Sequence, residues 1–236
     1  MSFSEIISFL WDVRGLILES LGISLLIAFG ALAIGFVIGV LLAVIRIAPK
    51  RTFIMKLLDK IAQLYITVIR GTPTLVQLLI MYSSIMAGFK YLDTNLLVPI
   101  VAFGFNSGAY MAEIVRSGIN SVDVGQMEAG RSVGLSWVTT MRKIIIPQAI
   151  KVVVPTIFNE IIILVKETSV VSFIIIKVGG MQKWDLMGIT DKIARMRPAV
   201  YNASLYTAAA LYLIIVLILT FIQKRIEKRM KKNERH

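Results

Sequence analysis

SVDVGQMEAGRSVGLSWVTTMRKIIIPQAI, residues Ser121 to Ile150, is a polar island in a very apolar chain. Asp123, with Gln126 three positions on, makes a capping-box pattern that starts a helix. That helix can run to about Ser132, where Gly134 is a natural C-terminal stop. Ser136 can cap a second short helix. Pro147 is expected to limit it, because proline has no N–H with which to continue a helix. The island therefore reads as two short helices hinged at Gly134-Leu135. Arg131, Arg142 and Lys143 give it positive charge. Spacing alone is equally compatible with an ordinary loop joining two membrane helices.

The surroundings of the island set the class. The chain has 236 residues, of which 57% are hydrophobic, and a mean hydropathy of +0.79. Such a composition belongs to an integral membrane protein rather than a soluble domain. The formal net charge is +12. The basic residues cluster at the ends of apolar segments, so membrane orientation explains them better than nucleic acid does. With no cysteine, disulfides and thiol chemistry are excluded. Glu5 and Asp12 precede the first apolar run where a cleavable signal peptide would carry a basic region.

Five spans are expected. Residues 1–15 hold Phe3, Ile6, Ile7, Leu10 and Trp11 at helical spacing, too short to cross and suited to the interface. The first span is about Leu16 to Ile47, with Gly35 and Gly39 as a small-xxx-small pair. The second runs from about Phe53 to Phe89 and is interrupted by Gly71 and Pro73. The third covers about Leu96 to Ser117, the fourth about Val152 to Ile176, and the fifth about Ala199 to Ile222. The polar 177–197 segment reads as an outer-face docking surface. The tail, 223–236, reads as a solvated basic helix or as disorder. Seventeen Lys and Arg residues fall on the side of the 121–150 loop and seven on the other. The positive-inside rule then places the N-terminus outside and the tail in the cytoplasm.

Polar residues inside a membrane need a partner or a task. The fourth span holds Asn159, Glu160, Lys166, Glu167, Thr168 and Ser169. Glu160 and Glu167 share one helix face, and Asn159 and Lys166 the adjacent one. Lys166 and Glu167 read as a structural pair, with Glu113 a further partner. Glu160 has no basic residue four positions away. Either it is satisfied by neighbouring helices or it contacts substrate. A carboxylate at low dielectric attracts a cation strongly, so a contact there suits an α-ammonium or a basic side chain. The break Gly71-Thr72-Pro73-Thr74 frees backbone groups that must be buried or line a cavity. Thr72 and Gln77 are the candidate contacts, against a plain proline kink. Arg70 is expected to be structural. No G-x-x-x-x-G-K-[ST] phosphate loop occurs, and the only histidine is the terminal His236. The chain is therefore not expected to be an enzyme, to bind a cofactor of its own, or to hold a metal.

Glu128-Ala129-Gly130, followed by Gly134 and Ile146-Pro147, resembles the EAA loop of ATP-binding-cassette (ABC) importer membrane subunits. In that pattern E-A-A is followed by a glycine four residues after the last of them and then by a hydrophobic-Pro pair. Gly130 stands here in place of the second alanine. Arg70-Gly71-Thr72-Pro73, Gly108-Ala109-Tyr110-Met111-Ala112-Glu113-Ile114, Gly125-Gln126 and Lys166-Glu167-Thr168-Ser169 resemble the polar amino-acid branch, in the expected order. The likeness covers roughly residues 15 to 222, and its nearest branch is the histidine, glutamine and arginine permeases.

The resemblance implies an all-α, type I importer permease fold of five transmembrane helices. Residues 16–222 would form the transmembrane domain, 1–15 an outer-face segment and 223–236 a cytoplasmic tail. It implies a prokaryotic cell membrane, a second permease subunit (homodimer favoured), an extracytoplasmic substrate-binding protein and a separate ATPase that binds ATP and Mg. Glu128, Ala129, Gly130 and Gly134 would couple to that ATPase. Thr72, Gln77, Asn159 and Glu160 would meet an amino-acid substrate, expected to be arginine, lysine or histidine. Glutamine or glutamate is the alternative. A secondary transporter, which would need a titratable relay and usually an inverted repeat, and a membrane scaffold are the remaining ones.

Overall fold

The computed structural model describes residues 3–88 and 95–232. They form α1 (Phe3–Asp12), α2 (Arg14–Ile47), α3 (Phe53–Arg70), α4 (Thr74–Gly88), α5 (Leu97–Asn120), α6 (Val124–Ser132), α7 (Trp137–Thr140), α8 (Ile146–Glu167), β1 (Ile176–Val178), β2 (Met181–Lys183), α9 (Leu186–Met196) and α10 (Tyr201–Lys232). By length and composition, four helical runs among the described residues can cross a membrane: Arg14–Ile47, Leu97–Asn120, Trp137–Phe173 and Pro198–Met230. The pair Phe53–Arg70 and Thr74–Ile85 makes a fifth if it is counted as one broken span.

That pair bends by 104°, far more than an interrupted helix. The Gly71 N–H closes α3 on the Thr67 carbonyl at 2.9 Å. Pro73 then offers no donor and disfavours helical backbone at Thr72. A Cβ on Gly71 would stand 2.8 Å from the Thr67 oxygen, so the turn needs glycine.

The chain divides into two compact units. The first comprises Met1–Ala33, Thr72–Gly104 and Ile161–Ile218; the second comprises Ile34–Gly71, Phe105–Glu160 and Leu219–His236. In the first unit, Phe9, Val13, Ile17 and Trp184 pack on a core of Ile189, Ile193 and Val200. The 177–197 segment, read from sequence as a polar docking surface with no structure of its own assigned, holds most of the β1–β2 hairpin and the amphipathic α9. Gly179 and Gly180, both at positive φ, make the hairpin turn. Asn95 clamps the hairpin: its side-chain amide donates to the Ile175 carbonyl at 2.7 Å, and its oxygen accepts from the Lys177 N–H at 2.6 Å. Asp185 caps α9, accepting from the Met187 and Gly188 N–H groups. Its burial pushes the carboxyl up to about 6, against the lowering effect of those hydrogen bonds.

In the second unit, α2 and α5 approach backbone to backbone. A Cβ on Gly35 would lie 2.7 Å from the Ser107 Cβ, and one on Gly39 2.4 Å from the Met111 Cβ. The small-xxx-small reading of the first span therefore holds. Ile66, Ala109 and Ala112 form a core, with Leu42, Tyr65 and Ile69 packed against it.

One sequence expectation is corrected. Pro147 does not end the second short helix. The run from Trp137 continues through a π turn at Met141–Ile145 into α8, with the Ile146 N–H bonded to the Met141 carbonyl. The wider turn gives the proline ring room against the carbonyl it would otherwise meet. The fourth apolar helix thus begins earlier than Val152. At the other end, α10 runs unbroken to Lys232, so the described part of the tail is helix.

Candidate functional site

The 121–150 loop is built by its caps. Asp123 accepts from the Gly125 N–H at 2.6 Å and starts α6. The capping box itself is not made: Asp123 bonds the second helical N–H rather than the third, and the Gln126 side-chain oxygen accepts from Gln148 at 3.4 Å. At the other end, Leu135 N–H reaches the Gly130 carbonyl at 3.1 Å and Gly134 N–H the Arg131 carbonyl at 3.1 Å. This is a Schellman motif, with Gly134 at φ +86°. Arg131 braces the turn by donating to the Leu135 carbonyl at 2.7 Å. Ser136 accepts from the Thr139 N–H at 3.1 Å and starts α7. The hinge at Gly134-Leu135 is therefore where the sequence placed it.

Glu128 and Ala129 are exposed on α6, and Gly130 is buried. A Cβ on Gly130 would stand 2.5 Å from the Thr140 Cγ2, and Thr140 is fully buried. Glycine at this place lets α6 lie directly on the second helix. Val124, Val133 and Val138 are 70%, 77% and 66% exposed. The loop thus presents an apolar, carboxylate-bearing surface on a firmly capped frame.

The four candidate substrate residues fall into two pairs. Thr72 and Gln77 meet in the first unit, at the break before α4. The Gln77 amide donates to the Thr72 hydroxyl at 2.7 Å and to its carbonyl at 3.1 Å. Glu167 reaches the Thr74 hydroxyl nearby and has Lys166 beside it.

Asn159 and Glu160 belong to the second unit. Glu160 is 4% exposed and accepts from the Ser107 hydroxyl at 2.8 Å. Ser107 and Asn106 are themselves buried. Asn159 is exposed and accepts from Gln223 at 3.2 Å; Gln223 also donates to the Pro155 carbonyl and to Glu227. Glu113, read as a further partner of the Lys166–Glu167 pair, is instead held by Arg116, with N···O contacts of 2.6 and 3.2 Å.

Sequence reasoning missed Asn106 and Ser107, although two adjacent polar residues inside an apolar span are a readable signal. It also missed Gln223. That residue was assigned to the solvated tail, yet its side-chain amide bonds the Pro155 carbonyl and Asn159.

Residues 35–232 match the family described as binding-protein-dependent transport system inner membrane component. Among curated relatives, the arginine transport system permease protein ArtQ of Bacillus subtilis (strain 168) is 36% identical over 220 residues, 92% of this chain and 94% of that protein. The glutamine transport system permease protein GlnP of Escherichia coli (strain K12) is 35% identical over 225 residues, covering 95% and 97%. A solved structure described as an amino acid ABC transporter with histidines superposes with a TM-score of 0.83 at 34% identity, covering 97% of this chain and 99% of that one.

Proposed function

We propose that this chain, which belongs to the family of binding-protein-dependent transport system inner membrane components, is the permease subunit of an ATP-driven amino-acid importer. The observation that carries the reading is the capped, surface-exposed α6 and its Schellman hinge. A separate ATPase would dock there, over Glu128, Ala129 and the exposed valines, with Gly130 and Gly134 fixing the geometry. ATP and Mg would bind to that ATPase. An extracytoplasmic binding protein would deliver substrate, and a second permease subunit, a copy of this chain, would complete the pair. The bent α3–α4 pair counts as one span, giving five, with the N-terminus outside and the tail in the cytoplasm of a bacterial cell. Residues 16–222 form the membrane domain.

Thr72, Gln77, Asn159 and Glu160 are the proposed substrate contacts. Support for a basic amino acid comes from Glu160, a carboxylate deep in an apolar helix whose neighbour Ser107 is a neutral donor. The relative named for arginine supports it also. The relative named for glutamine supports the second reading, a glutamine or glutamate importer.

The test is uptake into vesicles containing the chain with its ATPase and binding protein. Glu160→Gln keeps an acceptor for Ser107 and removes the charge. It is expected to abolish uptake of arginine and lysine while the subunits still co-purify. Unchanged uptake removes Glu160 from the site, and glutamine uptake by the wild type replaces the basic substrate.

A further inference from the structure

Two of the sequence motifs, Arg70-Gly71-Thr72-Pro73 and the Gly108–Ile114 stretch, contribute charged residues that no role above uses. Arg70 and Glu113 come together in the second unit. With Arg46, Gln63, Ile66 and Thr67 they line a cavity of about 190 Å³. Gln63, Thr67 and Arg70 are at i, i+4 and i+7 on α3, so one helix face supplies them. The opposite ends of the charge balance are already committed. Asp59 is shared between Lys50 at 2.5 Å and Arg46 at 3.5 Å. Glu113 is engaged by Arg116. Four cations therefore face two carboxylates, and the excess of two positive charges lies around the cavity. The Arg46 Nε is buried and has no hydrogen-bond partner, a costly state for a guanidinium donor. Arg70 lies over the Tyr110 ring at 5.2 Å, a contact that leaves its planar edge free to fork onto a carboxylate. Glu113 keeps acceptor capacity, since a carboxylate offers about four lone-pair sites.

We infer that this cavity binds the zwitterionic head of an α-amino acid. Arg46 and Arg70 hold the carboxylate, and Glu113 with the Thr67 hydroxyl holds the ammonium. The inference rests on the amino-acid permease reading above. It adds contacts beyond Thr72, Gln77, Asn159 and Glu160, none of which lines this cavity. This zone recognises what all α-amino acids share rather than the side chain. It belongs to the unit that carries the 121–150 loop, so it suits substrate leaving toward that side.

The test uses the nucleotide-free complex of the chain with its ATPase, in detergent. Binding of radiolabelled arginine and of radiolabelled glutamine is competed with the free acids and with their methyl esters. For the wild type, each free acid is expected to compete about tenfold better than its ester, whichever side chain it carries. Arg70→Gln should erase that preference, and Arg70→Lys should restore part of it. Co-purification with the ATPase verifies that each variant is folded. The cavity assignment is overturned if neither amino acid binds saturably, if esters match free acids on the wild type, or if the preference survives Arg70→Gln. It is also overturned if inorganic phosphate displaces arginine as well as arginine does, since the site then takes any anion. ATP-driven uptake by the wild type separates the two levels. Uptake of neither amino acid sinks the permease reading itself. Uptake without an Arg70-dependent ester effect sinks only the cavity.

Discussion

Gly130 departs from the E-A-A pattern, and its neighbour Thr140 accounts for the departure. The Thr140 methyl occupies the place of an alanine side chain, 2.5 Å from where the Cβ would be. Gly130→Ala is expected to destabilise the loop by about 1–3 kcal/mol through overpacking. Thr140→Ser removes the methyl and keeps the hydroxyl that bonds the Ser136 carbonyl. In that background Gly130→Ala should cost much less. Thermal unfolding of the four combinations measures the coupling, and equal costs in both backgrounds would refute the packing account. A second residue follows the same local logic. Gly134 sits at φ +86° with open space around it, so conformation rather than contact fixes its identity. Gly134→Val should cost about 1–2 kcal/mol and Gly134→Asn less, with ATP hydrolysis uncoupled from uptake in the valine variant. The caps at Asp123 and Ser136 were legible in the sequence because each acts within four residues. The Gly130–Thr140 contact was not, because it depends on how two helices meet.

Among the elements, α9 shows what burial does to a cap. The Asp185 carboxyl titrates at about 6 instead of 3.8. Between about pH 4 and 6 the folded chain keeps a proton that the unfolded chain has lost. The stability this confers is full below about pH 4 and is lost as pH rises through 6. Above that, the ionised group costs about 3 kcal/mol relative to the neutral one. Met187 and Gly188 bond to different oxygens of Asp185, so Asp185→Asn keeps one of the two cap acceptors and removes the charge. It should flatten the melting profile between pH 4 and 6 and raise the melting temperature at pH 7. Parallel profiles for variant and wild type would show that Asp185 carries no such load. The hairpin before α9 escaped the sequence reading because three-residue strands leave no alternation to detect. The continuation through Pro147 escaped it for another reason. A proline normally marks a boundary, and only the wider turn ahead of it removes the penalty.

At the scale of the whole molecule, membrane class followed from composition, and most spans from apolar length. The α3–α4 pair was the exception. Gly71 and Pro73 marked the break, but the 104° bend is a property of the folded backbone. Whether that pair crosses decides the sidedness of everything before it. The chain contains no cysteine, so single-cysteine variants label without background. Val138 and Met196 are well exposed, at 66% and 72%. With the tail in the cytoplasm, Met196→Cys should react with an impermeant maleimide on intact cells. Val138→Cys should react only after permeabilisation. The reverse pattern would invert the topology. Substrate identity was the least legible property. A buried Glu160 serves either a cationic ligand or its own neighbours, and residue type does not separate the two.

The π turn at Met141–Ile145 also bears on which changes of chain length the protein tolerates. A π turn holds one more residue than the α-helix on either side, and it absorbs that residue locally. Removing one residue from 141–145 should close the run into ordinary helix and leave the angular phase of α8 intact. Removing one residue between Pro155 and Asn159 would instead rotate all that follows by about 100°. Loss of a single codon is thus expected to be survivable at one place on this helix and ruinous about four turns further on.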